Sequence, residues 1–165
     1  GILGMTPQDI SDLRAADRIR ERFAAEGKTA VCFGMGNGLD DVKSVSNVEK
    51  NIVVSPAALE AAKYLERTYG TPYETGYPLV DELVYDMDYH GKKVLIVQQQ
   101  VIGSAIREEI QKKAKDEEDY IRLVENMEYD VIYADPCMKR MTPEFDGIFV
   151  DTIHFAVSGH LAEMR

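Results

Sequence analysis

Lys93-Val94-Leu95-Ile96-Val97-Gln98-Gln99-Gln100-Val101 carries most of the architectural information in this chain. The apolar run Val94 to Val97 reads as a strand covered on both faces, because a strand with one wet face alternates apolar and polar residues. Three amides follow, and a helix runs from Val101 to Ala114. An upstream stretch has the same plan. Asn51-Ile52-Val53-Val54 is a strand, and Ser55-Pro56 supplies a hydroxyl cap and a proline at the first helical position. Leu59, Ala62, Leu65 and Tyr69 then make the inner face of a helix that Gly70 stops. This alternation predicts an α/β fold with two Rossmann-like lobes, parallel sheets flanked by helices.

Working outward, Thr6-Pro7-Gln8-Asp9 opens a helix whose apolar face is Ile10, Leu13, Ala16, Ile19 and Phe23, ending at Gly27. Thr29 to Phe33 is a short strand. Leu39 to Glu49 is a weak helix with Leu39, Val42 and Val45 on one side. Tyr73 to Tyr77 is an edge strand, and Pro78 opens a helix through Met87. Asp88 to Lys92 is a polar hinge, so the lobes are expected at 1–88 and 89–165. Beyond it, Tyr120, Leu123, Val124 and Met127 line a further helix, Val131 to Ala134 and Ile148 to Val150 are the last strands, and Thr142-Pro143 between them is a turn or a short helix start. The opening Gly1-Ile2-Leu3-Gly4 reads as the tail of a strand in a piece of a longer protein, with Met5 as the alternative start.

Composition excludes several classes of function. The 165 residues are 45% hydrophobic and carry a net charge of -10, which suits a packed domain and disfavours nucleic acid or an anionic membrane as partner. No apolar run reaches the ~18 residues of a membrane helix. Two cysteines are too few for a disulfide framework, and a reduced cytoplasmic setting is expected. An oligomer is compatible with all of this.

Parallel strands gather their carboxyl ends on one edge, where ligands of open α/β sheets bind. The residues expected there are Gly34 to Gly38, Ser55, Gln98 to Gln100, Asp135 to Cys137 and Asp151 to His154. Gly34-x-Gly36-x-Gly38 lacks the third glycine of a dinucleotide loop, since Leu39 occupies its place, and no P-loop lysine follows. Gln98, Gln99 and Gln100 offer donors and acceptors at a helix start; one as a cap and two as solvated side chains is the alternative. Cys137 and His154 are candidate metal ligands, against the base expectation of an ordinary thiol and a structural, capping imidazole. Cys32 reads as core packing, and His90 faces solvent in the hinge. His160 lies six residues after His154, not the four that aligns two ligands on a helix. Asp116 to Asp119 reads as an acidic first helical turn.

Asn51-Ile52-Val53-Val54-Ser55-Pro56, the helix with Ala61-Ala62-Lys63-Tyr64-Leu65-Glu66, and Tyr69-Gly70-Thr71-Pro72-Tyr73 together resemble the nitrogenase component 1 type oxidoreductases. That family includes molybdenum–iron protein subunits, cofactor-assembly scaffolds and nitrogenase-like tetrapyrrole reductases. Gly76-Tyr77-Pro78-Leu79 fits the family's turn after that segment. Gly91-Lys92-Lys93-Val94-Leu95-Ile96 is similar to the strand opening its next domain, and Ile2-Leu3-Gly4 with Thr6-Pro7 to the end of the strand opening its middle domain. The resemblance implies the middle domain and a shortened C-terminal domain of a longer subunit. It implies electrons from an ATP-dependent iron–sulfur reductase, a second subunit, and an iron–sulfur or metal cofactor, or a bound tetrapyrrole, completed outside this stretch. Taken with the strand-end residues, the candidate cofactor-binding positions are Ser55, Gln98, Gln99, Gln100 and His154 and the candidate metal positions Cys137 and His154. Where the family places a ligating cysteine before its Ala-rich helix, this chain has Val54 and Ser55. The expected function is therefore either part of an oxidoreductase or a non-catalytic cofactor-binding or assembly module; a small-molecule sensor is a third reading.

Overall fold

A computed structural model of the chain describes residues 1–34, 37–113, 129–141, 143, 145–154 and 158–159. Among the described residues, seven strands form two sheets, a four-stranded one in the order β2-β1-β3-β4 and a three-stranded one in the order β5-β6-β7. The first holds β1 (Ile2–Met5), β2 (Cys32–Gly34), β3 (Asn51–Val53) and β4 (Tyr73–Thr75). The second holds β5 (Val94–Ile96), β6 (Val131–Ala134) and β7 (Ile148–Asp151). Every neighbouring pair is parallel, as continuous apolar strands require of sheets covered on both faces.

The helices between them are α1 (Pro7–Ile10), α2 (Ala15–Ala25), α3 (Leu39–Lys43), α4 (Leu59–Tyr69), α5 (Val80–Leu83) and α6 (Gln100–Lys113). The expected single helix from Thr6 to Phe23 is two. Ser11 sits at φ 62°, a left-handed conformation that residues with a Cβ rarely adopt, and ends α1 after one turn. The break turns Leu13 out to 44% exposure, whereas Ile10, Ala16 and Ile19 stay buried. Its physical cause is polar. Asp12, 4% exposed, accepts from the Arg14 N–H at 2.9 Å and from Arg18 Nη1 at 2.8 Å, and one uninterrupted helix could not bring all three groups together. Thr6 does not cap the backbone either, because its hydroxyl donates to Asp9 at 2.8 Å.

The helix expected over Leu39 to Glu49 is the short α3 followed by a single 3-10 turn, Val45–Asn47, and Leu39 and Val42 are 80% and 54% exposed rather than packed. The helix expected from Pro78 to Met87 shrinks to α5. On α4, Ala62 and Leu65 are buried but Tyr69 is 56% exposed. The expected helix through Tyr120 to Met127, the acidic run Asp116 to Asp119, the Thr142 turn and His160 lie outside the described residues.

All four strands of the first sheet precede Asp88 and all three of the second follow it, yet one apolar cluster draws on both. It contains Ile2 and Met5 from β1, Ile19 from α2, Ile102, Ile106 and Ile110 from α6, and Val131 and Tyr133 from β6. A second cluster, around Leu3, Phe33, Val53 and Leu65, packs the other face of the first sheet. One polar tie also crosses between the sheets. Gln99 Nε2 donates to the Val54 carbonyl at 2.8 Å. The segment after α5 is fastened to β6 by a ring of hydrogen bonds. The Tyr85 N–H donates to the Tyr133 hydroxyl at 3.0 Å, the Tyr89 hydroxyl donates to the Tyr85 carbonyl at 2.7 Å, and the two phenols bond each other. Burial first, then the Tyr133 contact, pushes the Tyr89 phenol far above its ordinary pKa.

Candidate functional site

The loops that leave the carboxyl ends of strands in both sheets converge on one crevice of about 250 Å3. The first sheet contributes Ile10, Ser11 and Asp12, just beyond β1, and Tyr77, just beyond β4. The second contributes Gln98 after β5, Pro136 after β6, and Asp151, Thr152 and Ile153 at the end of β7. Leu83 of α5 and Ile102 of α6 add apolar wall. A larger open groove of about 810 Å3 lies at the opposite, amino edge of the first sheet, between the end of α2 and the segment before β3. Ligands of parallel sheets bind at the carboxyl edge, so the smaller crevice is the candidate.

Each post-strand loop is held by its own side chains. Beyond β3, the Ser55 hydroxyl donates to Asp9 at 2.7 Å and accepts from the Ala57 N–H at 3.1 Å. Close above it passes Gly4, at φ +92°, where a Cβ would lie 2.8 Å from Ser55 Cβ; only glycine fits both the space and the conformation. Ser55 is fully buried and does not line the crevice. Its donor and acceptor are both engaged, so it serves as a cap.

Beyond β5 the three amides have three fates. Gln99 is buried; its Oε1 accepts from the Val101 N–H at 2.7 Å while Nε2 reaches Val54. It caps α6 and ties the two sheets together. Gln98 Oε1 accepts from the Gln99 N–H at 2.8 Å, and its Nε2 donates to the Ile153 carbonyl at 3.4 Å, so the side chain spans from β5 to the strand end of β7 at the crevice wall. Gln100 is exposed. The glutamine run and the late imidazole thus share one rim, since Ile153 immediately precedes His154.

Beyond β6, Asp135 organises the rim. Its carboxylate, 1% exposed, accepts from the Cys137 N–H at 2.9 Å and from the His154 N–H at 2.8 Å. Burial alone would raise its pKa, but those two N–H groups, with the Ser158 hydroxyl and the Cys137 thiol, outweigh it and hold the carboxyl below its ordinary value. One carboxylate therefore pins the loops after β6 and β7 side by side. Cys137 is exposed and His154 half-buried, with its Nδ1 buried and unpartnered among the described residues. Cys32 lies in the core, where burial pushes its thiol up.

Sequence reasoning missed Ser11, Asp12 and Tyr77, because the continuous helix it expected left no loop after β1. The signal was present: Ser11-Asp12 is a turn-forming pair in the middle of an otherwise apolar periodicity. Tyr77 is buried, and that burial, reinforced by the Asp12 charge, raises its phenol pKa far above the ordinary range, so it meets the crevice as a neutral donor. Thr152, 4% exposed, is one of the crevice residues, and its hydroxyl is buried with no partner among the described residues.

Among the described residues no three His, Cys, Asp or Glu side chains converge on a point. The rim offers one thiol and one imidazole as soft donors, and the hydroxyl of Ser55 is already spent on Asp9. Compared with known protein families and with curated proteins, the chain matches neither a family model nor a curated protein. Among the described residues no helix is long and apolar enough to cross a membrane.

Proposed function

We propose that this chain is a ligand-binding module of nitrogenase component 1 type, non-catalytic by itself, in which lobes 1–88 and 89–165 hold a small organic molecule or one edge of a larger cofactor between them. The observation that carries this reading is the crevice lined by strand-end loops of both sheets. Its make-up, mostly apolar with a few convergent polar groups, suits small-molecule recognition. Its volume of about 250 Å3 falls below the roughly 300–1,000 Å3 of pockets for drug-sized ligands, so a small metabolite fits and a whole macrocycle does not. The free thiols support a reducing, cytoplasmic setting.

A second reading, part of an oxidoreductase subunit that receives electrons from an ATP-dependent reductase, has one observation in its favour. Cys137 and His154 hang from the same Asp135 carboxylate and so sit at one rim. That reading needs ligands and partners from outside this chain.

A thermal-shift screen of small polar metabolites, run beside anaerobic reconstitution with iron and sulfide, separates the two. A ligand at 100-fold its Kd adds about 2.7 kcal/mol, which raises Tm by roughly 5–10 °C in a domain of this size. That result, lost in Gln98→Trp, supports the binding module. Stoichiometric uptake of iron with sulfide-to-iron absorption, and no stabilisation by any metabolite, overturns it in favour of the second reading.

A further inference from the structure

We propose that the crevice takes an uncharged ligand, an amide or ketone carbonyl on a short apolar body, and that the Tyr77 phenol is the donor that holds its oxygen. This rests on the reading of the crevice as a ligand site. The first argument is that the charges at the crevice are already matched from within the chain. Asp12 pairs with Arg18 at 2.8 Å and Asp151 with Lys139 at 2.8 Å. A cationic ligand would have to displace one of those partners. An anionic one would meet two carboxylates, with no lysine or arginine among the described lining residues. Either ion also gives up hydration on entry, a loss that only a new partner of opposite charge offsets. An uncharged ligand meets neither obstacle.

The second argument is a donor that the chain leaves unused. Tyr77 follows β4 and lines the crevice, with 7% of its surface exposed. It also borders a more open groove of about 330 Å3 beside α2. The charges that act on its phenol are those of Asp12 and Arg18; Asp12 lines the crevice, and neither lines the groove. The hydroxyl end therefore lies on the crevice side. Among the described residues it donates to no protein acceptor, and unlike the Thr152 hydroxyl it is not closed off from its surroundings. A buried phenol ordinarily finds a partner, and a ligand oxygen can accept from this one. From the second sheet, Gln98 Nε2 spends one N–H on the Ile153 carbonyl in a long bond of 3.4 Å. An amide nitrogen carries two, so this wall offers a neutral donor as well. Ile10, Leu83, Ile102 and Ile153 supply apolar surface for the ligand's carbon body.

The test is an amide-resolved NMR titration of the chain with three probes of one size and different charge: butyramide, n-butylammonium and butyrate. Saturable shifts are expected at Tyr77, Gln98 and Ile153 with butyramide, and binding weaker by several-fold with either ion. Tyr77→Phe should weaken butyramide about five-fold, the value of one hydrogen bond. It should leave the urea midpoint unchanged, because the hydroxyl has no protein partner to lose. Either ion binding as tightly as butyramide overturns the uncharged class and leaves the crevice a binding site. Unchanged butyramide affinity in Tyr77→Phe, or a lower urea midpoint for that variant, removes Tyr77 as the donor and overturns the proposal in that part. No saturable shift with any probe overturns both the proposal and the site.

Discussion

The loops after β3 and after β5 start from the same plan, a buried strand running into a polar helix start, and they end with opposite uses of their polar atoms. After β3, Ser55 turns inward and spends donor and acceptor on Asp9 and Ala57. After β5, Gln99 does the equivalent capping, which leaves Gln98 on the crevice wall. The difference is length. A serine hydroxyl reaches only its own turn and its nearest neighbour, whereas consecutive glutamines divide the labour, one building the helix start and one bridging to the loop after β7 at the crevice wall.

The strongest challenge to this comparison is to ask whether the two loops belong to one folding unit at all. Ile106 is fully buried in the cluster shared by both sheets. Ile106→Ala should cost about 2–5 kcal/mol and shift a single urea transition seen equally by probes in both sheets; two separated transitions would break the shared-core description. Next in size is Asp135→Asn, which trades an acceptor of two N–H groups for an amide that can meet them less well, at about 1–3 kcal/mol near neutral pH. The pH dependence has a definite sign. The folded-state carboxyl lies below its ordinary pKa, so its contribution is fully present above the unfolded value of about 3.9 and is lost as pH falls through the folded value. Urea midpoints of wild type and Asp135→Asn should therefore converge in acid and diverge toward neutrality, and parallel curves would remove the carboxylate from the account.

The smaller effects sharpen the comparison itself. Ser55→Ala should cost about 1 kcal/mol as a lost cap and leave ligand binding at the crevice, which it does not line, unchanged. Gln98→Ala should cost about 1 kcal/mol, since it removes the 2.8 Å bond from the Gln99 N–H as well as the longer 3.4 Å bond to Ile153, and should weaken binding at the crevice. Stability and affinity measured on both variants would show the division directly; equal behaviour of the two would dissolve it.

Much of this fold was legible from the residues. Continuous apolar runs at Val94 to Val97 and Ile52 to Val54 announced parallel strands, and the common edge followed from topology. Helix lengths were less legible. The apolar spacing from Ile10 to Phe23 is compatible with one helix, and only the buried partnership of Asp12 with Arg18 explains why the chain breaks at Ser11. That tertiary contact overrides the local periodicity, and it carries Ser11 and Asp12 to the crevice. The glutamine triplet could be flagged as polar and interesting, but which amide caps, which ties and which lines the wall depends on where Val54 and Ile153 sit, tens of residues away. Leu39 and Val42 illustrate the converse, since an apolar stripe on a five-residue helix does not guarantee something to pack against.

The ring through Tyr85, Tyr133 and Tyr89 has a one-way circulation. An amide can only give a proton and a carbonyl can only take one, so the phenol of Tyr133 must hand its hydrogen to Tyr89 and never the reverse. Neither hydroxyl can turn without stranding a neighbour. The segment after α5 is therefore fastened to β6 by bonds whose donors and acceptors all run in one fixed order.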